Sequence, residues 1–159
     1  MSEHKATIEW KRETDNFDYD HYNRRHKIIF NENIVLKASA AEGFKGDPKH
    51  VDPEQALVAS ISSCHMLTFL AISSKKGYIV DEYQDQAVGI MEKDQDGYFI
   101  VARATLSPDV RFSGSKIPSA EEINKLHTSA HKYCVIANSV KTVVTVTSKQ
   151  IIKGNSELK

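Results

Sequence analysis

One long apolar segment, DPEQALVASISSCHMLTFLAISSKKG (residues 52–77), most constrains the fold because it predicts a single long helix. Asp52 can accept hydrogen bonds from the first free amides of a helix, and Pro53 at the first helical position sacrifices no needed donor. Gly77 is a stop signal, so we expect the helix to end at about Lys76. Its apolar residues occupy nearly every direction around the axis, which predicts a central helix covered on most sides.

Short strand patterns lie before this helix. Residues 4–12, HKATIEWKR, alternate Ala6, Ile8 and Trp10 with polar side chains, which predicts a half-buried strand that opens a sheet. KIIF and NIVLKAS predict two further strands, and NEN between them predicts a hairpin turn.

The segment after the helix contains longer strand patterns and a second helix. EYQDQAVGIMEK and YFIVARATLSPDVRF predict two long strands joined through the favoured hairpin dipeptide Asp96-Gly97. PSAEEINKLHTSAHKYC predicts a helix that begins with a capping box formed by Ser119 and Glu122. The β-branched segment KTVVTVTSKQII predicts a last strand.

The order of these elements indicates the α+β class with a mainly antiparallel sheet. The chain has 159 residues and no linker rich in Pro, Gly or Ser, so we predict one domain over residues 1–159. A chain of this length can bury about 70% of its unfolded surface, which is enough for a core without metals or disulfides.

Composition excludes several classes of partner. Lys and Arg number 21, and so do Asp and Glu, so no net charge attracts nucleic acid or anionic lipid. The N-terminal residues contain no apolar signal segment, and MLTFLAI is far shorter than the roughly 20 residues of a membrane helix. We therefore expect a soluble, cytoplasmic protein that binds neither nucleic acid nor membrane.

The two cysteines are the candidates for chemistry. Cys64 lies in the first helix, and Cys134 continues the inward stripe of the second helix, after Ile123, His127 and Ala130. Free cysteine is often a small buried hydrophobe. The serine-rich sequence SISSC, however, interrupts the apolar stripe and favours a site.

A reactive cysteine must be a thiolate, which burial alone disfavours. Cys64 lies too far into its helix for the dipole to help, so a cation must approach it. Arg24 and Arg25 in YNRRH are candidates, since a guanidinium stays charged when buried. An ordinary solvated pair is the other interpretation, and spacing alone does not choose between the two.

The motifs DPEQALVASISSCHM and AHKYCVIANSVKTVVTV, together with YNRRH, resemble those of the OsmC/Ohr family of organic-hydroperoxide-reducing proteins. The resemblance covers most of the chain and is closest to the OsmC-like branch, in which histidine follows the first cysteine, as His65 does here. It implies the OsmC-like α+β fold, with sheets packed on a cysteine-bearing central helix, and an intertwined homodimer.

The resemblance also implies roles for four residues. Cys64 would be the peroxidatic nucleophile, and Cys134 would be the resolving thiol that closes a disulfide. Arg24 would activate the sulfur, and Glu54 would hold that arginine. The implied activity is reduction of organic hydroperoxides in oxidative-stress defence, without metal or cofactor. The implied reductant is an external thiol, for which a dihydrolipoyl group is a candidate. The sequence departs from the family at Val135, where proline is usual, so we expect a different rigidity at Cys134.

Helix geometry independently favours a dimer. Glu54 and Cys64 are ten positions apart, which corresponds to about 15 Å along one straight helix. If both contact one arginine, either the helix breaks between them or a second subunit supplies Arg24 and Glu54. A symmetric homodimer with two sites at its interface meets this requirement.

Three alternatives remain open at the level of sequence. A structural zinc site could use Cys64, His65, His131 and Cys134, although neighbouring helix residues chelate one ion poorly together. A cysteine hydrolase could use Cys64 with His65, His127 or His131 as base, which leaves Cys134 without a role. A non-catalytic redox or ligand-binding module could keep the same fold.

Overall fold

The structure, a computed structural model, describes residues 1–31 and 34–150. The chain divides into two compact units, Met1–Leu57 and Val58–Lys159. Helices and largely antiparallel sheets make up the described residues, so the predicted α+β class is confirmed. The single domain over residues 1–159 stays a prediction.

The first unit contains a three-stranded antiparallel sheet in the order β1-β2-β3. Its strands are β1 (Thr7–Glu9), β2 (His26–Ile29) and β3 (Val35–Ala38). All three strands were predicted, whereas Glu32 and Asn33 of the predicted NEN turn lie outside the described residues.

The predicted half-burial of the first strand is wrong. All of β1 is exposed, and Ile8 keeps 60% of its surface accessible. The strand is three residues long and forms the edge of its sheet, so only β2 covers one of its sides. Ile8 and Trp10 instead line an open cavity of about 520 Å³ within the first unit.

Helix α1 (Pro53–Lys75) begins and ends close to where the sequence predicts. Asp52 Oδ1 accepts a hydrogen bond from the Gln55 amide at 2.7 Å, and Gln55 Oε1 accepts one from the Asp52 amide at 3.2 Å. These reciprocal bonds satisfy the free donors of the first turn. Gly77 follows the helix with φ 76°, the left-handed conformation that glycine adopts without steric cost.

One stripe of α1 is buried, so the prediction of a helix covered on most sides is wrong for the described chain. Five residues at spacings of three or four are buried: Val58, Ile61, His65, Phe69 and Ser73. Leu67, on another face, is 60% exposed. Among the described residues α1 is the one helix long and apolar enough to cross a membrane, but core helices of soluble proteins share this length and composition.

The second unit contains two further sheets. Its strands are β4 (Ile79–Asp85), β5 (Val88–Lys93), β6 (Phe99–Leu106), β7 (Pro108–Ser113), β8 (Val143–Val146) and β9 (Lys149–Gln150). Strands β5 and β6 form the predicted hairpin, with Gly97 at φ 84°, and β8 pairs parallel to β6. Strands β4 and β7 pair antiparallel, and β9 pairs parallel to β7.

Each long strand predicted from the sequence is therefore two strands that belong to different sheets. The two breaks meet at Asp85, whose Oδ1 accepts a hydrogen bond from the Ser107 amide at 2.7 Å. Pro108 then begins β7, a strand position where the missing amide is tolerated. Asp85 and Pro108 thus mark the place where the chain passes from one sheet to the other.

Helices α2 (Ala120–Tyr133) and α3 (Val135–Asn138) complete the second unit. The capping box of Ser119 and Glu122 is present as predicted. The main core cluster joins α1, α2 and the β4–β7 sheet; its buried members are Phe69, Tyr78, Val110, Phe112, Ile123, Leu126 and Ala130. This core fixes the orientation of α1, which carries Cys64, and of α2, which ends one residue before Cys134.

Candidate functional site

The two cysteines lie together in the second unit. Cys64 on α1 is partly exposed, Cys134 is fully buried, both are free thiols, and Cys64 lies close enough to Cys134 to raise the pKa of its thiol. The Cys134 thiol also lies 4.0 Å from the carbonyl oxygen of Ile61, one helical turn from Cys64. Cys64 is therefore partly accessible to solvent, whereas Cys134 is not.

Cys134 occupies the junction of α2 and α3. Helix α2 ends at Tyr133, one residue earlier than the extended stripe requires, and the Cys134 backbone is extended at φ −70° and ψ 109°. Its Sγ accepts a hydrogen bond from the Ala137 amide at 3.4 Å and so caps α3. Val135, which replaces the family's usual proline, is the first residue of α3 and is exposed.

Burial raises the pKa of the Cys134 thiol to about 11, because a thiolate loses hydration inside the protein. The nearby Cys64 side chain acts in the same direction, while the Ala137 amide partly opposes it. Cys134 is therefore a neutral thiol at neutral pH. A protonated thiol must lose its proton before it can act as a nucleophile. Cys134 is therefore better suited to the second step of a reaction than to the first.

Arg24 lies in the first unit and is half-buried between two tyrosines. Its guanidinium carbon is 4.1 Å from the ring centroid of Tyr22 and 5.1 Å from that of Tyr19. Nη1 donates to the Tyr22 carbonyl at 2.9 Å, and Nη2 donates to the Tyr19 carbonyl at 2.6 Å. Arg25, by contrast, forms an exposed ion pair of 2.9 Å with Glu13.

Glu54 lies in the first turn of α1 and is half-buried. Its Oε2 is buried without a hydrogen-bond partner among residues 1–31 and 34–150. Within the described part of the chain, no ion pair joins Glu54 to Arg24. The structure thus places Cys64 and Cys134 beside each other in the second unit. Arg24 and Glu54 belong to the first unit, and among the described residues they form no ion pair with each other.

The serine-rich segment before Cys64 has a partner in the second unit. Ser62 donates a short hydrogen bond to Asp85 Oδ2, the other oxygen of the carboxylate that receives the Ser107 amide. This bond ties α1 to the end of β4. At least one of the serines that interrupt the apolar stripe therefore has a structural role.

A buried histidine pair lies beside the cysteines, and sequence reasoning missed it. His65 and His127 are 1% and 4% exposed, and their Nε2 and Nδ1 atoms are 3.1 Å apart. Burial lowers the pKa of both imidazoles to about 4, so the pair is neutral at neutral pH. The signal was present in the sequence, because each histidine falls on the inward stripe of its helix.

Metal binding receives no support from the described residues, which contain no group of three or more His, Cys, Asp or Glu side chains able to hold an ion. His65, a member of the zinc set considered above, directs Nε2 to His127 instead.

Comparison with known proteins gives consistent matches. The family described as "OsmC-like protein" matches residues 46–149. The structure of an OsmC-like protein of unknown function from Vibrio cholerae is 41% identical, covers 94% of this chain and 100% of its own, and superposes with a TM-score of 0.90. No curated protein is significantly similar in sequence.

Two organic hydroperoxide resistance proteins share the fold at low identity. The one from Elizabethkingia anophelis is 15% identical over 95% of this chain and 98% of its own, with a TM-score of 0.70. The one from Bacillus subtilis is 16% identical over 93% and 98%, with a TM-score of 0.66.

Proposed function

This chain belongs to the OsmC-like protein family, and on that basis we propose that it is a thiol-dependent peroxidase that reduces organic hydroperoxides to alcohols. Family membership supports a peroxiredoxin-like redox role in general terms. The specific activity, its place in cytoplasmic oxidative-stress defence and the external dithiol that regenerates the enzyme belong to the proposal.

The contact between the two thiols is the observation that supports this proposal most directly. A peroxidatic sulfur must be accessible to a substrate, and the partly exposed Cys64 meets that condition. A resolving sulfur must be close but unreactive until needed, and the buried, protonated Cys134 meets both conditions.

The proposed cycle begins with the Cys64 thiolate attacking the distal oxygen of the hydroperoxide. The O–O bond breaks, the alkoxide takes a proton and leaves as alcohol, and Cys64 becomes a sulfenic acid. Cys134 then attacks the Cys64 sulfur; its thiol proton and the sulfenic hydroxyl leave as water, and a disulfide forms. An external dithiol, for which a dihydrolipoyl group is the candidate, reduces this disulfide by thiol–disulfide exchange.

Arg24 is the proposed activator of Cys64. A guanidinium beside the sulfur would stabilise the thiolate and the charge that develops on the leaving oxygen. Its contacts with Tyr19 and Tyr22 hold it in place, whereas Arg25 is already paired with Glu13 at the surface. These contacts favour Arg24 over Arg25 for the role.

We propose that Arg24 and Glu54 of one subunit serve the cysteines of its partner in a homodimer. Helix α1 is unbroken from Pro53 to Lys75, which removes the alternative of a helix break between Glu54 and Cys64. Glu54 Oε2, buried without a partner in the described chain, is available to hold a guanidinium. The apolar residues of the open cavity beside Arg24, among them Trp10 and Phe17, suit an alkyl substituent.

The test adds an organic hydroperoxide to the reduced protein with a dithiol reductant, and follows both hydroperoxide loss and the Cys64–Cys134 crosslink by mass spectrometry. Cys64→Ser should abolish turnover, and without the dithiol Cys134→Ser should consume about one equivalent and form no crosslink. Arg24→Ala should slow the first step by roughly 10²–10³-fold.

Arg25→Ala is the matched control and should behave as the wild type. Crosslinking without turnover would identify a non-catalytic redox module instead. Ester hydrolysis that survives Cys134→Ser would identify a cysteine hydrolase.

A further inference from the structure

The His65–His127 contact is an in-plane hydrogen bond. The two ring planes are inclined by only 11°, and their centroids are 5.4 Å apart. The centroid distance exceeds the 3.1 Å between Nε2 and Nδ1 by about two ring radii, which is the largest excess possible, so both nitrogens lie close to the line that joins the two centroids. Parallel rings at 5.4 Å with two nitrogens 3.1 Å apart therefore meet edge to edge, in the geometry of a directed N–H···N bond.

This bond and the thiol pair join the same two parts of the second unit. On α1, Ile61 contacts Cys134, while His65 and Phe69 contact His127, whose ring centroid lies 4.4 Å from that of Phe69. The two segments therefore run antiparallel along this contact: Ile61 lies beside Cys134, and His65 and Phe69 lie beside His127. On α1 the histidine bond lies one turn beyond the Ile61–Cys134 contact, and it acts at the same helix–helix register.

An apolar pair would fill this place at lower cost. A neutral imidazole pair makes one hydrogen bond and leaves two outer nitrogens, and His65 Nδ1 and His127 Nε2 are buried without partners in the described residues. Each such atom costs free energy, because it has lost its hydrogen bonds to water. Apolar contacts are non-directional and allow two helices to slide, whereas a buried hydrogen bond allows one arrangement.

A disulfide between Cys64 and Cys134 can form only when the two cysteines are held in one relative position. The two Cα atoms must lie about 4.4–6.8 Å apart and the Cβ atoms about 3.5–4.5 Å apart, and departures strain the bond and make it easier to reduce. We propose that the His65–His127 hydrogen bond sets the register of α1 against α2 and thereby holds Cys64 and Cys134 at the separation a disulfide requires. The inference deepens the proposed function, on which it rests, by assigning two positioning residues to its resolving step.

A glutathione redox titration measures the effective concentration of the Cys64–Cys134 pair without any hydroperoxide. The double variant His65→Leu/His127→Leu removes both polar groups while keeping apolar volume, so it should fold. Because of the strain that a loosened register introduces, its effective concentration should fall at least about tenfold.

Conservative variants separate register from packing. The amide of Gln reaches the position of His65 Nε2, and that of Asn sits at the position of His127 Nδ1. His65→Gln and His127→Asn should therefore keep the effective concentration close to that of the wild type, whereas His127→Leu should lower it. The substitution His4→Leu removes an imidazole at an exposed position and is the control, because it should leave the effective concentration unchanged.

A double leucine variant that folds with the wild-type effective concentration would overturn the inference. If that variant does not fold, equal values for His127→Asn and His127→Leu would overturn it instead. Wild-type protein that forms the disulfide in the titration but consumes no hydroperoxide would refute the proposed function alone and leave the positioning role standing.

Discussion

Acidification from pH 7 to pH 5 is expected to destabilise this protein through its two buried histidines. In the folded state burial holds the pKa of His65 and His127 at about 4, below the ordinary value of 6.5. As the pH falls below about 6.5, the unfolded chain takes up protons that the folded chain does not. The contribution to stability is therefore complete above pH 6.5, declines below it, and is fully lost by about pH 4.

The magnitude follows from linkage. Each pKa unit corresponds to about 1.4 kcal/mol, so one histidine accounts for about 3 kcal/mol at pH 4 and roughly 2 kcal/mol at pH 5. Both imidazoles are at least 96% buried, so solvent screens them little. Against a total stability of about 5–15 kcal/mol, the pair should decide the acid limit of the folded protein.

Urea unfolding of the reduced protein at pH 7, 6 and 5 measures this dependence. The variant His65→Leu/His127→Leu should lose about 3–4 kcal/mol less than the wild type between pH 7 and pH 5. Most carboxylates titrate near pH 4, below this window, so they affect both proteins alike. Equal pH dependence in the two proteins would refute the argument that burial keeps this pair neutral.

Three further substitutions test local features. Val135→Pro should stabilise by about 0.4–1 kcal/mol and speed disulfide closure in stopped-flow assays, because the preceding residue is already extended; slower closure would contradict this. Gly89→Ala should cost about 1–3 kcal/mol in thermal unfolding, because the new methyl group clashes with Val58, whereas Gly43→Ala meets open space and should be nearly neutral. Ser119→Ala should cost about 1 kcal/mol by loss of its cap, and an unchanged melting temperature would argue against that bond.

Local signals explain why the helices were predictable. The bounds of α1 follow from Asp52, Pro53 and Gly77, which act on their nearest neighbours in the chain. The capping box at Ser119 acts in the same way. The inward position of Cys134 followed from helical periodicity even though α2 ends one residue before it.

Long-range partners explain what the sequence did not reveal. The division of each long strand depends on Asp85 binding the Ser107 amide across two strands, which no local pattern records. The exposure of Ile8 depends on which elements cover an edge strand. His65 and His127 are distant in sequence, and a histidine on an inward stripe does not indicate its partner. Arg24 was a candidate as a cation and through the family resemblance, whereas its tyrosine contacts depend on the fold of the first unit.

The two contacts of the Cys134 sulfur, with Cys64 and with the Ala137 amide, link the oxidation of this residue to the backbone of α3. The Cys134 sulfur lies beside Cys64 and also accepts the hydrogen bond of the Ala137 amide. A covalent bond from this sulfur to Cys64 would therefore change the strength and direction of the hydrogen bond that it accepts. Any change in the bonding of this sulfur is passed directly to the first turn of α3. A disulfide at Cys134 would therefore alter the hydrogen bond that caps α3, a helix of four residues.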